Sequence, residues 1–140
     1  MKHIDQKTLE ELEGEIWPEP GFKSYLTTTC YQLRKKKLAE FTVEDLRIML
    51  GQSIGARHLL PKALIVLKEN PFADGDFFEG DLLGAISRYP ENMLLLDCKD
   101  KEMFRDICKT VLSSCDDPLP EPDRTQVEEL VAYLNEQLSK

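Results

Sequence analysis

The chain reads as an all-α protein, a compact single-domain irregular helical bundle of about six to seven helices spanning residues 1–140. Three observations predict this. Apolar residues recur at three- and four-residue steps in one segment after another, the period of a helix with one buried face. Thr8, Thr42 and Thr125 stand where three of those segments begin, and Asp45 and Glu128 follow the last two by three residues, the spacing of a capping box. The connections are short and marked by Gly and Pro, and there is no internal repeat or low-complexity stretch. A chain of 140 residues buries about two-thirds of its unfolded surface, enough to fold without metal or disulfide support.

The central stretch, Phe41 to Leu83, organises the rest, but the elements are best justified in order. Residues 8–17 form a helix capped by Thr8, with Glu10 and Glu11 in its first turn and Leu9, Leu12 and Ile16 on one face; Pro18 and Pro20 stop it. Residues 24–38 place Tyr25 or Leu26, Cys30 and Leu33 at helical spacing and finish in Arg34, Lys35, Lys36 and Lys37, a solvated basic helix end. Thr42 then caps a helix carrying Val43, Leu46, Ile48, Met49 and Leu50, with Phe41 and Leu46 as a hydrophobic staple and Gly55 suited to a left-handed cap. From Leu59 to Lys68, with Pro61 in the first turn, apolar residues on more than one face mark a central core helix.

Asn70 and Pro71 end that helix. The Asp74-Gly75 pair turns the chain, and Phe77 with Phe78 is expected to fold back onto the core. Asp81 caps a short helix from Leu82 to Arg88. Residues 91–96 fit either a buried extended piece or the lead into the next helix, which periodicity does not separate. From Lys99 to Ser114 the stripe Met103, Phe104, Ile107, Cys108, Val111 is clear. Three prolines keep residues 116–123 extended, and Thr125 with Glu128 caps a last helix whose Val127, Leu130, Val131, Leu134 and Leu138 face inward.

Composition narrows the function. Twenty-six acids against 18 Lys and Arg give a net charge of -8, which disfavours a nucleic-acid backbone as partner and fits either a protein that its charge merely keeps soluble or one whose clustered acids attract basic partners. No apolar run is long enough to span a membrane and the N-terminal residues lack a signal-peptide core, so a cytoplasmic location is expected. Cys30, Cys98, Cys108 and Cys115 form no CxxC pair and read as small hydrophobes. His3 and His58 have no partner at metal-ligand spacing, and the chain has no GxSxG, Walker or GxGxxG motif. Neither a cofactor nor catalysis is expected.

Two acidic clusters are the candidate sites. Asp74, Asp76, Glu79 and Asp81 crowd one loop; Asp116, Asp117, Glu121 and Asp123 lie on a proline-stiffened one. Each fits solvated or capping acids, a partner contact, or metal binding or acid–base work, though the first lacks the spacing of an EF-hand. Trp17, the single tryptophan, fits a core anchor or an interface anchor.

Residues 8–17 with Pro20, the SYL at 24–26, FTVEDLRIMLGQSIG at 41–55, LLPKAL at 59–64 and LKENPFADGDFFEGDLL at 67–83 together resemble the immunity proteins of bacterial contact-dependent growth inhibition (CDI) systems. The resemblance covers roughly the first 90 residues. It implies a cytoplasmic, non-catalytic protein that binds the C-terminal toxin domain of a CDI surface exoprotein and blocks it, whether as a monomer or a dimer being left open by the sequence. Many such toxins are nucleases, whose phosphate-holding cations an acidic inhibitor is suited to cover. The resemblance does not itself assign toxin contacts; the acids of the 74–81 loop, or those from Asp116 to Asp123, are the expected ones. A helical adaptor using Trp17 and neighbouring apolar surface is the competing expectation.

Overall fold

The computed structural model describes residues 5–21, 24–114 and 119–139, and among them every regular element is helical. Helix α1 (Leu9–Glu13) is closed by a capping box between Thr8 and Glu11. It ends four residues earlier than expected because Gly14 turns left-handed (φ 66°) and its N–H returns to the Glu10 carbonyl. The shorter helix leaves Ile16 outside it, 75% exposed rather than on the inner face.

Helix α2 (Tyr25–Leu33) starts at a Ser24–Thr27 capping box and buries Cys30 and Leu33. Its basic end is not simply solvated. Arg34 is 1% exposed, Lys35 meets Glu10 at 2.8 Å and Lys36 meets Asp45 at 2.6 Å. Cations placed to complement a helix C-terminus thereby also tie α2 to its neighbours. After a 3-10 turn at Leu38–Glu40, α3 (Val43–Leu50) begins at the expected Thr42–Asp45 capping box and buries Leu46 through Leu50.

Gly55 is the left-handed residue (φ 66°) that precedes α4 (Ala56–Glu69). A Cβ there would press on the Leu9 side chain, so this glycine also lets α1 approach. The earlier start puts Pro61 in the second turn of α4, where the carbonyl four residues before it goes without an intrahelical donor. Leu59, Leu60, Ala63, Leu64 and Leu67 are buried, but Ile65 is 63% exposed, so α4 is amphipathic and not the centre of the molecule.

The centre is α5 (Asp81–Ser87), a seven-residue helix in which every residue is buried. It packs between α3 and α7 (Asp123–Leu138), while α6 (Cys98–Leu112) lies along α7 and against α4. A short helix can hold that position because Gly84 lets α7 come close: a Cβ there would strike the Asp123 carboxylate. Residues 91–95 belong to a 3-10 turn, Pro90–Leu95, which buries Met93 and leaves Leu94 exposed, and Leu96 follows it in extended backbone. Helix α6 follows the expected stripe from an Asp97 cap.

Helix α7 begins two residues earlier than Thr125. Pro122 precedes it with no side-chain cap, and the Thr125 hydroxyl donates to Glu121 instead of capping. The physical reason is that Pro120 and Pro122 offer carbonyls to the N–H groups of Arg124 and Gln126, which already start the helix. One contiguous apolar core runs from Leu9 to Leu134. No helix among the described residues is long and apolar enough to cross a membrane.

Candidate functional site

The loop between α4 and α5 carries the first acidic cluster, all of it among the described residues. Its four acids do different things. Asp81 is 3% exposed and its carboxylate turns back into the loop, accepting from the N–H of Gly75 (2.7 Å), Phe77 (3.1 Å) and Phe78 (3.3 Å). Gly80, left-handed at φ 85°, takes the N-cap position that the sequence assigned to Asp81. Asp81 thus spends its charge on three orphan amides of the loop. Asp74, Asp76 and Glu79 are exposed.

A second carboxylate completes the frame from the neighbouring helix. Glu44 on α3 accepts from the Asp76 N–H at 2.9 Å and takes two bonds from Arg47, at 2.6 Å from Nε and 2.5 Å from Nη2. The i,i+3 spacing on α3 brings the two side chains together. Arg47, 9% exposed, also lies 3.8 Å from Asp81 and stacks its guanidinium 4.0 Å from the Phe77 ring centroid. Hydrogen bonding from Arg47 holds the Glu44 carboxyl below its ordinary range, ahead of the opposing effect of burial.

Gly75 fits this arrangement because a Cβ would collide with the Glu44 side chain. Phe78 packs on the core as expected, whereas Phe77 turns outward and is 70% exposed. The loop is therefore fixed by internal bonds while it presents three acids and an aromatic ring to solvent. Sequence reading missed Glu44 and Arg47 as its organisers; their only signal was an acid–arginine pair three apart on a helix.

Of the second cluster, Glu121 and Asp123 lie among the described residues. Asp116 and Asp117 lie outside the described residues, as do Cys115 and His3. Glu121 is exposed and accepts from Thr125, whereas Asp123 is 8% exposed and faces Gly84 at the α5–α7 seam. Among the described residues, no three of His, Cys, Asp and Glu converge as a metal site would require.

A different concavity forms around Trp17. The linker after α1 supplies Trp17, Pro18 and Pro20, α2 supplies Leu26 and Cys30, and Ile54 comes from the turn before α4; together they enclose an apolar groove of about 340 Å³. Across Trp17, a more polar hollow of about 520 Å³ holds Glu15, Arg57 and the half-buried His58. Arg34 stacks 4.2 Å from the Trp17 ring centroid, pairs with Glu13 and donates to the Glu15 carbonyl at 2.7 Å.

No curated protein matches the chain. A model of the CDI immunity proteins matches residues 11–104, which hold α2 to α5, the acidic loop and the Trp17 groove. That match covers well over half of the 140 residues, and the chain belongs to the family of CDI immunity proteins.

Proposed function

We propose that the protein neutralises a cognate CDI toxin domain by forming a stoichiometric complex with it, without catalysis of its own. The observation that carries this reading is the family match across residues 11–104. The net charge of -8 supports a basic toxin, and a nuclease is the toxin class that must carry cations to hold phosphates. Asp74, Asp76 and Glu79 on the braced loop are the acids proposed to meet those cations. Asp81 serves them by holding the backbone, Glu121 offers a second approach beside α7, and the inward Asp123 supports packing. Asp116 and Asp117 extend that second approach as a proposal from sequence.

Electrostatic steering raises association rates, and close charge pairs in the best-studied inhibitor complex are coupled by about 1.5 to 7 kcal/mol. The test has two parts. Cells making this protein are challenged with the toxin domain encoded beside its gene, and the two purified proteins are titrated at rising salt. Rescue with 1:1 binding whose on-rate falls as salt rises is expected. A folded protein that neither rescues nor binds would refute the reading, and salt-independent binding would remove the acidic loop from it. Charge reversal at Asp74, Asp76 and Glu79 is expected to slow association several-fold.

A further inference from the structure

The braced loop presents an aromatic ring as well as acids, and steering by charge makes no use of the ring. We propose that Phe77 is the anchor of the toxin contact, entering an apolar slot on the toxin whose rim carries Lys or Arg, an assignment that rests on the toxin reading above.

The ring faces water while its neighbour does not. Phe77 is 70% exposed, whereas Phe78 packs on the core. A single exposed apolar residue is common on protein surfaces and by itself implies no partner. What sets Phe77 apart is that its place is fixed from beneath. The Arg47 guanidinium lies 4.0 Å from the ring centroid, and Arg47 is itself held by two bonds to Glu44 and, at 3.8 Å, by Asp81. The Phe77 and Phe78 amides both donate to the same Asp81 oxygen. One face of the ring therefore rests on a largely buried cation, and most of the remaining surface is open. An aromatic ordered in advance loses little freedom on binding, which suits it to be an interface anchor.

Charge identifies the occupant, on residues that adjoin the ring. Residues 70–81 contain Asp74, Asp76, Glu79 and Asp81 and no Lys, Arg or His. Asp81 is turned inward onto the loop amides. The exposed carboxylates of Asp74, Asp76 and Glu79 make no hydrogen bond or ion pair with a described residue. Arg47 feels the attraction of Asp76 but is already bonded to Glu44. The second acidic loop abuts the first: a Cβ on Gly80 would meet the Leu119 side chain, and Glu121, just beyond Leu119 in sequence, is exposed. A ring set among these acids suits an apolar slot bordered by cations. A second copy of this chain would bring its own acids to the contact, and a nucleic acid or an anionic lipid surface would be repelled in the same way.

Kinetics separate the anchor from the charges, because rim charges act mainly on association and a buried contact acts mainly on dissociation. The parent and Phe77→Ala are each bound to the toxin domain encoded beside the gene, at low and high salt. Hydroxyl-radical footprinting of the unaltered protein reads the Phe77 side chain with and without toxin. Oxidation of Phe77 is expected to fall in the complex. Phe77→Ala is expected to weaken binding about tenfold or more, the scale of an interface hot spot, through faster dissociation, with the association rate and its salt dependence changed by less than about threefold. Hydrogen-exchange protection of the Gly75 and Phe78 amides, which Asp81 holds without the ring, is expected to persist. A ring oxidised equally in the complex, or a Phe77→Ala variant that binds within about threefold of the parent, overturns the anchor while the toxin reading stands. Weaker binding accompanied by lost protection at Gly75 makes Phe77 a brace of the loop and overturns it too. Absence of any binding by the parent chain removes the toxin reading, and the anchor with it.

Discussion

Replacing Asp81 should cost the protein a large part of its stability, even though its neighbours in sequence, Asp74, Asp76 and Glu79, are replaceable at almost no cost. The carboxylate is 3% exposed and divides three amides between its two oxygens: Gly75 on Oδ1, Phe77 and Phe78 on Oδ2. Asp81→Ala strands all three donors and leaves Arg47 with Glu44 alone. Losing one member of a buried charged set costs about 3–5 kcal/mol. That is about a fifth or more of the ~5–15 kcal/mol that holds a typical domain folded.

Asp81→Asn is the sharper test. Its single oxygen keeps the partners of one carboxylate oxygen, and its NH2 group then faces at least one loop N–H, donor against donor. The expected loss is about 1–3 kcal/mol, the cost of leaving a buried donor unsatisfied. Urea unfolding followed by Trp17 fluorescence reads both variants. With a slope near 2 kcal/mol/M, the midpoint should fall by about 1.5–2.5 M for alanine and about 0.5–1.5 M for asparagine. Hydrogen exchange should accelerate first at Gly75, Phe77 and Phe78. If both midpoints stay within about 0.3 M of the parent, the loop is not held by Asp81 and the bracing argument is wrong.

Other outcomes follow from the same structure. The Glu44 carboxyl is held below its ordinary range by Arg47, so its contribution is fully present above the unfolded-state value and is lost as pH falls through the lower folded value. Protection of the Asp76 amide, its exchange taken relative to the intrinsic rate at each pH, should therefore fall in acid, and Glu44→Gln should flatten that fall; a parent protein with pH-independent protection there would contradict it. Cys108 is fully buried and its thiol is pushed up to about 12 by burial, whereas Cys98 is exposed. At pH 8 a thiol reagent should modify Cys98 in the folded protein and Cys108 only on unfolding, as mass mapping would show. Gly84→Ala should destabilise by about 1–3 kcal/mol through the Asp123 carboxylate. Most of that loss should disappear in an Asp123→Ala background, and additive losses in the double-mutant cycle would show that the two do not meet.

The helical class, the apolar stripes of α6 and α7 and the Thr42–Asp45 box were legible in sequence because each depends on neighbours three or four residues apart. The places where local reading failed are places where a distant group intervened. Arg34 has the sequence context of a solvated helix end, yet Glu13, the Glu15 carbonyl and Trp17 make its burial tolerable. Phe77 and Phe78 are indistinguishable in sequence, and only Arg47 and the core decide which turns outward. Asp81 sits at a helix start by its own residue type, but its partners are loop amides that the fold bends back to it.

The family resemblance was likewise readable from ordered blocks of residues, and the matched region, residues 11–104, contains them almost entirely. The acidic loop was found by its composition. Its division into three outward acids and one inward acid was not, because sidedness in an irregular loop has no period to read. By itself the sequence determined secondary structure, charge and kinship, since propensity, capping and net charge are local or additive. The tertiary structure alone decided that seven-residue α5 is the centre, that Glu44 and Arg47 brace a loop 30 or so residues away, and that Trp17 borders a groove. Each of these depends on which surfaces meet when chain segments far apart in sequence pack into one core.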